Sequence, residues 1–249
     1  MVLSVITVNL NNKVGLLETI ESVVTQNFVD YEYIIIDGGS IDGSIEIINK
    51  FSNQIAYWIS EPDKGIYHAM NKGIAKAKGE WIIFMNSGDI FINNEVLKKV
   101  FTRDINLTTK IIYGNALFKG SNKIEHPFPL SKSYFLFATI CHQSLFARRE
   151  LFCHYGKFDL NYFIVSDKEW IMRIYLAKNH FSYINLDICL CDPVGFSSKN
   201  IELFVAETKK IEIQYFTSIE IFFFRLRKYL QRRLQFSPRS LLNKYTQQS

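Results

Sequence analysis

Trp81-Ile82-Ile83-Phe84-Met85-Asn86-Ser87-Gly88-Asp89 is an apolar run that stops at a polar turn. The first five residues read as a buried strand, and the last four as a glycine-hinged turn carrying one carboxylate. In open α/β sheets ligands bind beyond the carboxyl ends of the strands, so an acid placed there can meet a metal ion or a phosphate-bearing ligand. Taken alone, Asn, Ser, Gly and Asp are also simply the commonest turn formers. Two other segments repeat the order. Leu3-Ser4-Val5-Ile6-Thr7-Val8 breaks at Asn9-Leu10-Asn11-Asn12, and Tyr33-Ile34-Ile35-Ile36 breaks at Asp37-Gly38-Gly39-Ser40. Three strands that finish this way, separated by helical patterns, describe a parallel sheet with a polar crevice along one edge.

The intervening segments fit that sheet. Leu16, Leu17, Ile20, Val23 and Val24 recur at helical spacing, and a second helix starts near Asp42 and uses Ile45, Ile48 and Phe51. A short strand at 57–59 closes at Glu61-Pro62-Asp63-Lys64-Gly65, and a helix over 66–77 follows, with Gly79 expected to supply a left-handed cap. Four β-α repeats closing right-handed give an α/β fold with a mostly parallel sheet. The second half is less regular. It predicts strands at 111–113, 116–118 and 144–147, a loop around Pro127 and Pro129, an aromatic segment at 134–137 and a helix over 166–177. Beyond about Asn200 two helices are predicted, over 201–216 and 219–236.

Composition bounds the class. At 249 residues, 48% hydrophobic and 15% aromatic, the chain is globular, with room for one large α/β domain and an appendage. No run reaches ~18 apolar residues and no signal peptide is legible, so a cytoplasmic protein is expected. The four cysteines, Cys141, Cys153, Cys189 and Cys191, show no Cys-x-x-Cys spacing and no histidine at zinc-finger distance. Reduced, buried thiols are therefore expected, with Cys189 and Cys191 pointing the same way along a strand-like run.

Charge is unevenly placed. From Ile221 onward there are seven cations and no acid, whereas residues 1–220 hold 22 basic against 24 acidic residues, a net of −2. The basic stretch interleaves Phe222, Phe223, Phe224, Leu226 and Leu230, and the chain as a whole carries 21 Phe. That pattern fits an anionic membrane surface met through 221–239, peripheral on the inner face of the cytoplasmic membrane, better than nucleic acid, because the body has no basic face. A helix docked on the domain with a charged, solvated edge is the competing reading.

With these turns in place the chain resembles family 2 glycosyltransferases of the GT-A fold over roughly residues 1–195. The matches are serial. They are Ser4-Val5-Ile6-Thr7-Val8-Asn9, Asp37-Gly38-Gly39-Ser40-Ile41-Asp42-Gly43-Ser44, then Ser60-Glu61-Pro62-Asp63-Lys64-Gly65-Ile66-Tyr67 leading to Ala69-Met70-Asn71-Lys72-Gly73, and finally Gly79-Glu80-Trp81 to Asp89. The closest likeness is to bacterial enzymes that build capsular polysaccharide, exopolysaccharide or lipopolysaccharide. The resemblance implies a GT-A domain over 1–199, with a donor half to about 115 and an acceptor half after it, and a helical basic extension over 200–249.

It also implies roles. Thr7, Asn9, Asp37, Lys64, Asn71 and Asn86 are expected to contact a nucleoside-diphosphate sugar, and Asp89 to hold a divalent cation, Mg²⁺ or Mn²⁺, at the diphosphate. Asp167 matches the catalytic base of inverting transfer, where a carboxylate accepts the proton of the attacking hydroxyl. Its competing reading is a helix N-terminal cap. His142 is expected on the side of a glycan or lipid-linked acceptor. Three positions depart from the usual pattern: Asn86 replaces the first acid of the metal turn, Gly38 replaces a second Asp, and His68 stands where similar enzymes tend to have Asp. Because the acidic turn is depleted, a non-catalytic sugar-nucleotide-binding or scaffold module of the same fold is the alternative. A Rossmann dinucleotide enzyme lacks support, since Asn9-Leu10-Asn11-Asn12 has no Gly-x-Gly-x-x-Gly.

Overall fold

The computed structural model describes residues 1–121, 124–125, 130–193 and 200–235. The loop at Pro127 and Pro129, and the end of the tail with Phe236, Arg239 and Lys244, lie outside the described residues.

The first half is a β-α series: β1 (Leu3–Asn9), α1 (Lys13–Val24), β2 (Tyr31–Asp37), α2 (Ser44–Lys50), β3 (Tyr57–Ser60), α3 (Ile66–Lys76) and β4 (Trp81–Phe84). β1 pairs parallel with β2 on one side and β4 on the other, and β2 pairs parallel with β3. β1 is buried along its whole length, which explains why its sequence is nearly continuous in apolar residues rather than alternating. Register aligns Asn9 with Asp37 and Asp37 with Ser60, so three strand ends stand in one row.

The second half extends the sheet with strands of mixed direction. Its elements are β5 (Ile90–Phe91), α4 (Val96–Phe101), β6 (Thr109–Phe118), β7 (Ile124–Glu125), α5 (Lys132–Phe137), a 3-10 turn (His142–Ser144), β8 (Leu145–Arg148), α6 (Arg149–His154), α7 (Ser166–Leu176) and β9 (His180–Cys191). The sheet of nine strands runs β3-β2-β1-β4-β8-β6-β9-β5, with β7 beside β6. β8 enters antiparallel to both β4 and β6, while β9 runs parallel to β6.

Two expectations are corrected. The two strands predicted at 111–113 and 116–118 are one, β6, because Gly114 lies against the Leu186 backbone of β9 inside a register shift rather than in a turn. Gly79 is no left-handed cap, since α3 ends at Ala77 in extended backbone. A Cβ at Gly79 would collide with the backbone of Leu3 and Ser4, so glycine is required by close approach. There the Gly79 N–H donates to Ser4 Oγ at 2.9 Å and to Glu32 Oε1 at 3.2 Å, clamping the sheet at the end away from the crevice.

The core is apolar on both faces of the sheet: Leu3, Ile20, Ile35, Ile83, Met85, Phe146 and Ile188 cluster on one, and the alternate residues Ile6, Ile34, Ile36 and Ile82 are buried on the other. Behind β4 and β8 an aromatic cluster packs Phe152 flat on Trp170 at 4.2 Å and sets Phe158 5.5 Å from Phe84. Truncating a fully buried ring such as Trp170 costs about 3–5 kcal/mol, so this cluster fixes α7, the helix that carries Asp167.

Two compact units divide the chain, Met1–Phe204 and Val205–Ser249. The second contains the rest of α8 (Ile201–Tyr215) and α9 (Ser218–Gln235). On α9, Ile219, Phe222, Phe223, Leu226, Tyr229 and Leu230 are exposed and recur at helical spacing along one face. Phe224 lies off this face and meets Phe216 edge-on at 6.3 Å. Arg225 donates to Glu212 at 2.8 Å. No helix among the described residues is long and apolar enough to cross a membrane.

Candidate active site

The site is built from strand ends. Asp37 ends β2 and is fully buried. Its Oδ2 accepts from the Ser40 N–H at 2.8 Å, the Gly39 N–H at 3.1 Å and Ser60 Oγ at 2.6 Å, while Oδ1 accepts from Asn9 Nδ2 at 2.7 Å and Ser40 Oγ at 2.6 Å. Burial pushes the carboxyl up, but the donors Ser40, Ser60 and Asn9 outweigh it and the net displacement is down. Asp37 therefore stays charged and knits three strands together. Thr7 is also fully buried, its hydroxyl donating to Met85 O at 2.7 Å and lying 2.9 Å from Tyr33 OH. Neither side chain faces solvent in this conformation.

Lys64 lies exposed on the β3–α3 turn. Asn71 is tied to the second half: its Nδ2 donates to Phe158 O at 2.9 Å and its Oδ1 accepts from Phe158 N–H at 3.1 Å. That pairing anchors the segment before α7 to α3. His68, one of the departures from the family pattern, points at Asp63 Oδ1 at 3.0 Å, where Lys72 also binds at 2.6 Å.

The turn after β4 is held from below. Gly88 takes a φ of +102°, which L side chains rarely adopt, and Thr19 Oγ1 of α1 donates to Asp89 O at 2.7 Å. Asn12, the N-cap of α1, donates to Ser87 O at 3.0 Å. Asp89 is buried, with Gln143 Nε2 donating to Oδ2 at 2.8 Å and the Asp192 N–H to Oδ1 at 2.9 Å. Burial pushes its carboxyl up to about 6 despite these bonds.

Asp167 opens α7. Its Oδ2 stands 2.9 Å from His142 Nδ1, and Tyr67 OH lies 2.7 Å from its Oδ1. Tyr67 OH is equally close to Ile164 O, and its single proton serves one acceptor at a time. Burial pushes Asp167 up, but His142, by hydrogen bond and charge, and Tyr67 carry the net displacement down. Burial pushes His142 down, and the Asp167 carboxylate more than reverses it.

His142 Nε2 faces Asn86 Nδ2 at 3.1 Å. An imidazole that donates from Nδ1 to Asp167 accepts at Nε2 from the Asn86 amide. Asparagine in place of the first acid keeps this contact in either state of the ring: its amide N–H donates to a neutral Nε2, and its oxygen, with the amide turned, accepts from a charged one. A hydrogen-bonded chain thus runs Asn86–His142–Asp167, joining the turn after β4 to the start of α7.

The structure brings together Asn86, Asp89, His142 and Asp167, and separately Asn9 and Asp37. Sequence reading missed Tyr67, Gln143 and Asp192. The strand-end rule that singled out Asp89 also finds Asp192 once β9 is recognised as a strand, because Asp192 directly follows Cys191.

Oxygen donors at this turn suit a hard divalent cation. Asn86 Oδ1 is a buried oxygen without a hydrogen-bond partner, Asp89 offers a carboxylate in the same turn, and the Asp192 carboxylate lies 3.6 Å from where a Gly88 Cβ would stand.

A parallel sheet edge carrying these acids, continued by antiparallel strands and a helix bearing the half-buried Asp167 carboxylate, defines a glycosyltransferase of GT-A-like fold. A model described as Glycosyl transferase family 2 matches residues 4–177. An uncharacterized glycosyltransferase of Mycobacterium tuberculosis is 33% identical over 201 residues, 78% of this chain and 76% of its own length. A PGL/p-HBAD biosynthesis glycosyltransferase of Mycobacterium bovis is 29% identical over 178 residues, 69% of each. Among solved structures, S. aureus TarS 1–349 superposes with a TM-score of 0.70 at 17% identity, over 86% of this chain and 65% of that one. The mannosyltransferase PcManGT from Pyrobaculum calidifontis, in complex with GDP-Man and Mn²⁺, superposes with a TM-score of 0.62 at 18% identity, over 80% and 59%. The chain belongs to glycosyl transferase family 2.

Proposed function

We propose that this protein moves a glycosyl group from a nucleoside-diphosphate sugar to a hydroxyl of a glycan or lipid-linked acceptor, with inversion, in assembly of a bacterial surface glycan or glycolipid. The observation that carries the reading is the chain Asn86–His142–Asp167, which spans from the turn after β4 to the half-buried carboxylate of α7. Donor phosphates at the strand-end turn and an attacking hydroxyl at Asp167 would then lie on opposite sides of one sugar, as in-line displacement needs. A TarS structure is in complex with UDP-GlcNAc, which supports a sugar-nucleotide donor, and the Mycobacterium bovis relative bears the name PGL/p-HBAD biosynthesis glycosyltransferase, which supports a place in a biosynthetic sequence.

Asp167 is the base in this reading. It takes the hydroxyl proton, and His142 keeps it ionised and oriented. Asp89, with Asn86 Oδ1 and Asp192, would hold Mg²⁺ or Mn²⁺; when bound, that ion neutralises charge on the leaving diphosphate. Asp37 and Asn9 set the floor of the nucleoside end, and Thr7 supports them from beneath. Lys64, on the exposed turn, is free to swing toward the diphosphate. Asn71 holds the acceptor-side segment against α3.

The test is a thermal-shift panel of UDP, GDP, dTDP and CMP with and without Mn²⁺, followed by transfer assays with sugars of the winning nucleotide. One nucleoside diphosphate should raise the melting temperature more than CMP does, and more strongly with Mn²⁺. No nucleotide-dependent shift would instead favour the scaffold module.

We also propose peripheral membrane attachment through α9. The exposed row Ile219, Phe222, Phe223, Leu226, Tyr229 and Leu230 supports it, and moves the inserting face away from Phe224. Each cation near anionic lipid contributes about 1 kcal/mol, screened as salt rises. Full-length protein should float with anionic liposomes and partly detach in high salt, while Phe222→Glu with Phe223→Glu stays in solution. Equal flotation of the two proteins would return α9 to a docked role.

A further inference from the structure

Cys189 and Cys191 alternate along β9 onto one side, and Cys141, half-buried, arrives beside them at the entry to the 3-10 turn. The Sγ atoms of Cys141 and Cys191 are 3.7 Å apart, those of Cys189 and Cys191 are 3.5 Å apart, and all three lie within 4.8 Å of one another. All four cysteines are free thiols, and Cys153 stands apart, exposed on α6. Sequence spacing offered no ligand set because Cys141 reaches the other two only through the pairing of β6 with both β8 and β9.

We propose that Cys141, Cys189 and Cys191 form a binding site for a thiophilic d¹⁰ cation, Zn²⁺ or Cu⁺, separate from the oxygen-ligand site at Asp89. Zn–S bonds of about 2.3 Å around a tetrahedral centre set sulfurs about 3.8 Å apart, and a trigonal thiolate site sets them only slightly wider. The Cys141–Cys191 and Cys189–Cys191 separations are already within a few tenths of an ångström of that spacing, and the third is no more than 4.8 Å, so three sulfurs can close on an ion by side-chain adjustment. Thiolates select Zn²⁺ and Cu⁺, whereas Mg²⁺ and Mn²⁺ take oxygen, so the two sites do not compete. Each thiol that ligates gives up its proton to solvent, and the ion replaces the S–H···S contacts now joining the three. No electron transfer is needed.

The cluster also touches the machinery of transfer. Cys141 directly precedes His142 and Gln143, whose side chains reach Asp167 and Asp89. Cys191 precedes Asp192, whose N–H holds Asp89 Oδ1. An ion bound by the three sulfurs would join these two backbone segments and stiffen both carboxylates from behind.

The experiment is a Co²⁺ titration of reduced, metal-free full-length protein, read by the thiolate-to-cobalt charge-transfer band. A band that saturates at one equivalent, persists undiminished in Cys153→Ser and is lost in Cys141→Ser is the expected result. Zn²⁺ should bleach it and Mg²⁺ in large excess should leave it unchanged. Anaerobic competition between Zn²⁺ and Cu⁺ then assigns the ion. Absence of the band in the wild-type protein, its loss in Cys153→Ser, or its survival in Cys141→Ser overturns the proposal. Should Cys141→Ser fail to fold, the wild-type and Cys153→Ser titrations decide between these outcomes. None of these readouts depends on sugar transfer.

Discussion

Asp167→Asn is expected to bind nucleoside diphosphate as tightly as the wild-type protein and to lose turnover by about 10²–10⁴-fold, the range that a positioned general base contributes. The geometry isolates chemistry from shape. An amide fits the same volume at the start of α7, its oxygen can still accept from Tyr67, and Trp170 and Ile171 behind it are untouched. What it cannot do is take a proton. His142→Asn should cost a similar factor, because the imidazole 2.9 Å away holds Asp167 ionised, and the double variant should be little worse than either single one. Residues that act as a unit lose their effect once. Multiplicative losses would separate the two residues, and turnover near wild type in Asp167→Asn would move the base elsewhere.

The crevice and its floor were legible because buried parallel strands announce themselves twice, by a continuous apolar run and by the polar residues that must stop it. Leu3 to Asn9, Tyr31 to Asp37 and Trp81 to Phe84 each obey that rule, and register then forces Asn9, Asp37 and Ser60 into one row. What the residues along a strand cannot announce is which distant segment lies beside them. β6 looked broken at Gly114 because the glycine makes room for β9, a partner some seventy positions away. Tyr67 and Asp167 meet across one hundred positions, and Cys141 meets Cys191 across fifty. The same limit affected Gly79. Its cap role followed from helix chemistry, while its actual necessity, the nearness of Ser4, is a property of the packed sheet. Asn86 was visible as a departure from the acidic pattern, and only the position of His142 supplies a reason for it.

Asp89→Asn should abolish transfer and stabilise the fold at once. The Asp89 carboxyl is 6% exposed and titrates near 6 rather than at its usual 3.8, chiefly through burial. A carboxyl whose folded value lies above its unfolded value binds its proton more tightly when folded, so stability falls as pH rises between the two values. That displacement corresponds to about 3 kcal/mol against the ionised form at neutral pH. An asparagine carries no such penalty. Its oxygen can accept from the Asp192 N–H, and its amide can donate to Gln143 once the glutamine turns its own amide around, exchanging the bond its Oε1 accepts from the Cys141 thiol for one its Nε2 donates to that sulfur. Urea unfolding should therefore show the variant more stable by up to about 3 kcal/mol above pH 6, with the gain shrinking as pH falls toward 4. Activity should be lost at every pH, because the amide cannot supply the negative charge that the donor-side cation needs. A variant that is less stable than wild type at neutral pH would show that the buried charge already has compensation in the protein alone. A more stable and inactive variant would mean that the carboxylate is kept, at a cost in stability, for the ligand it binds.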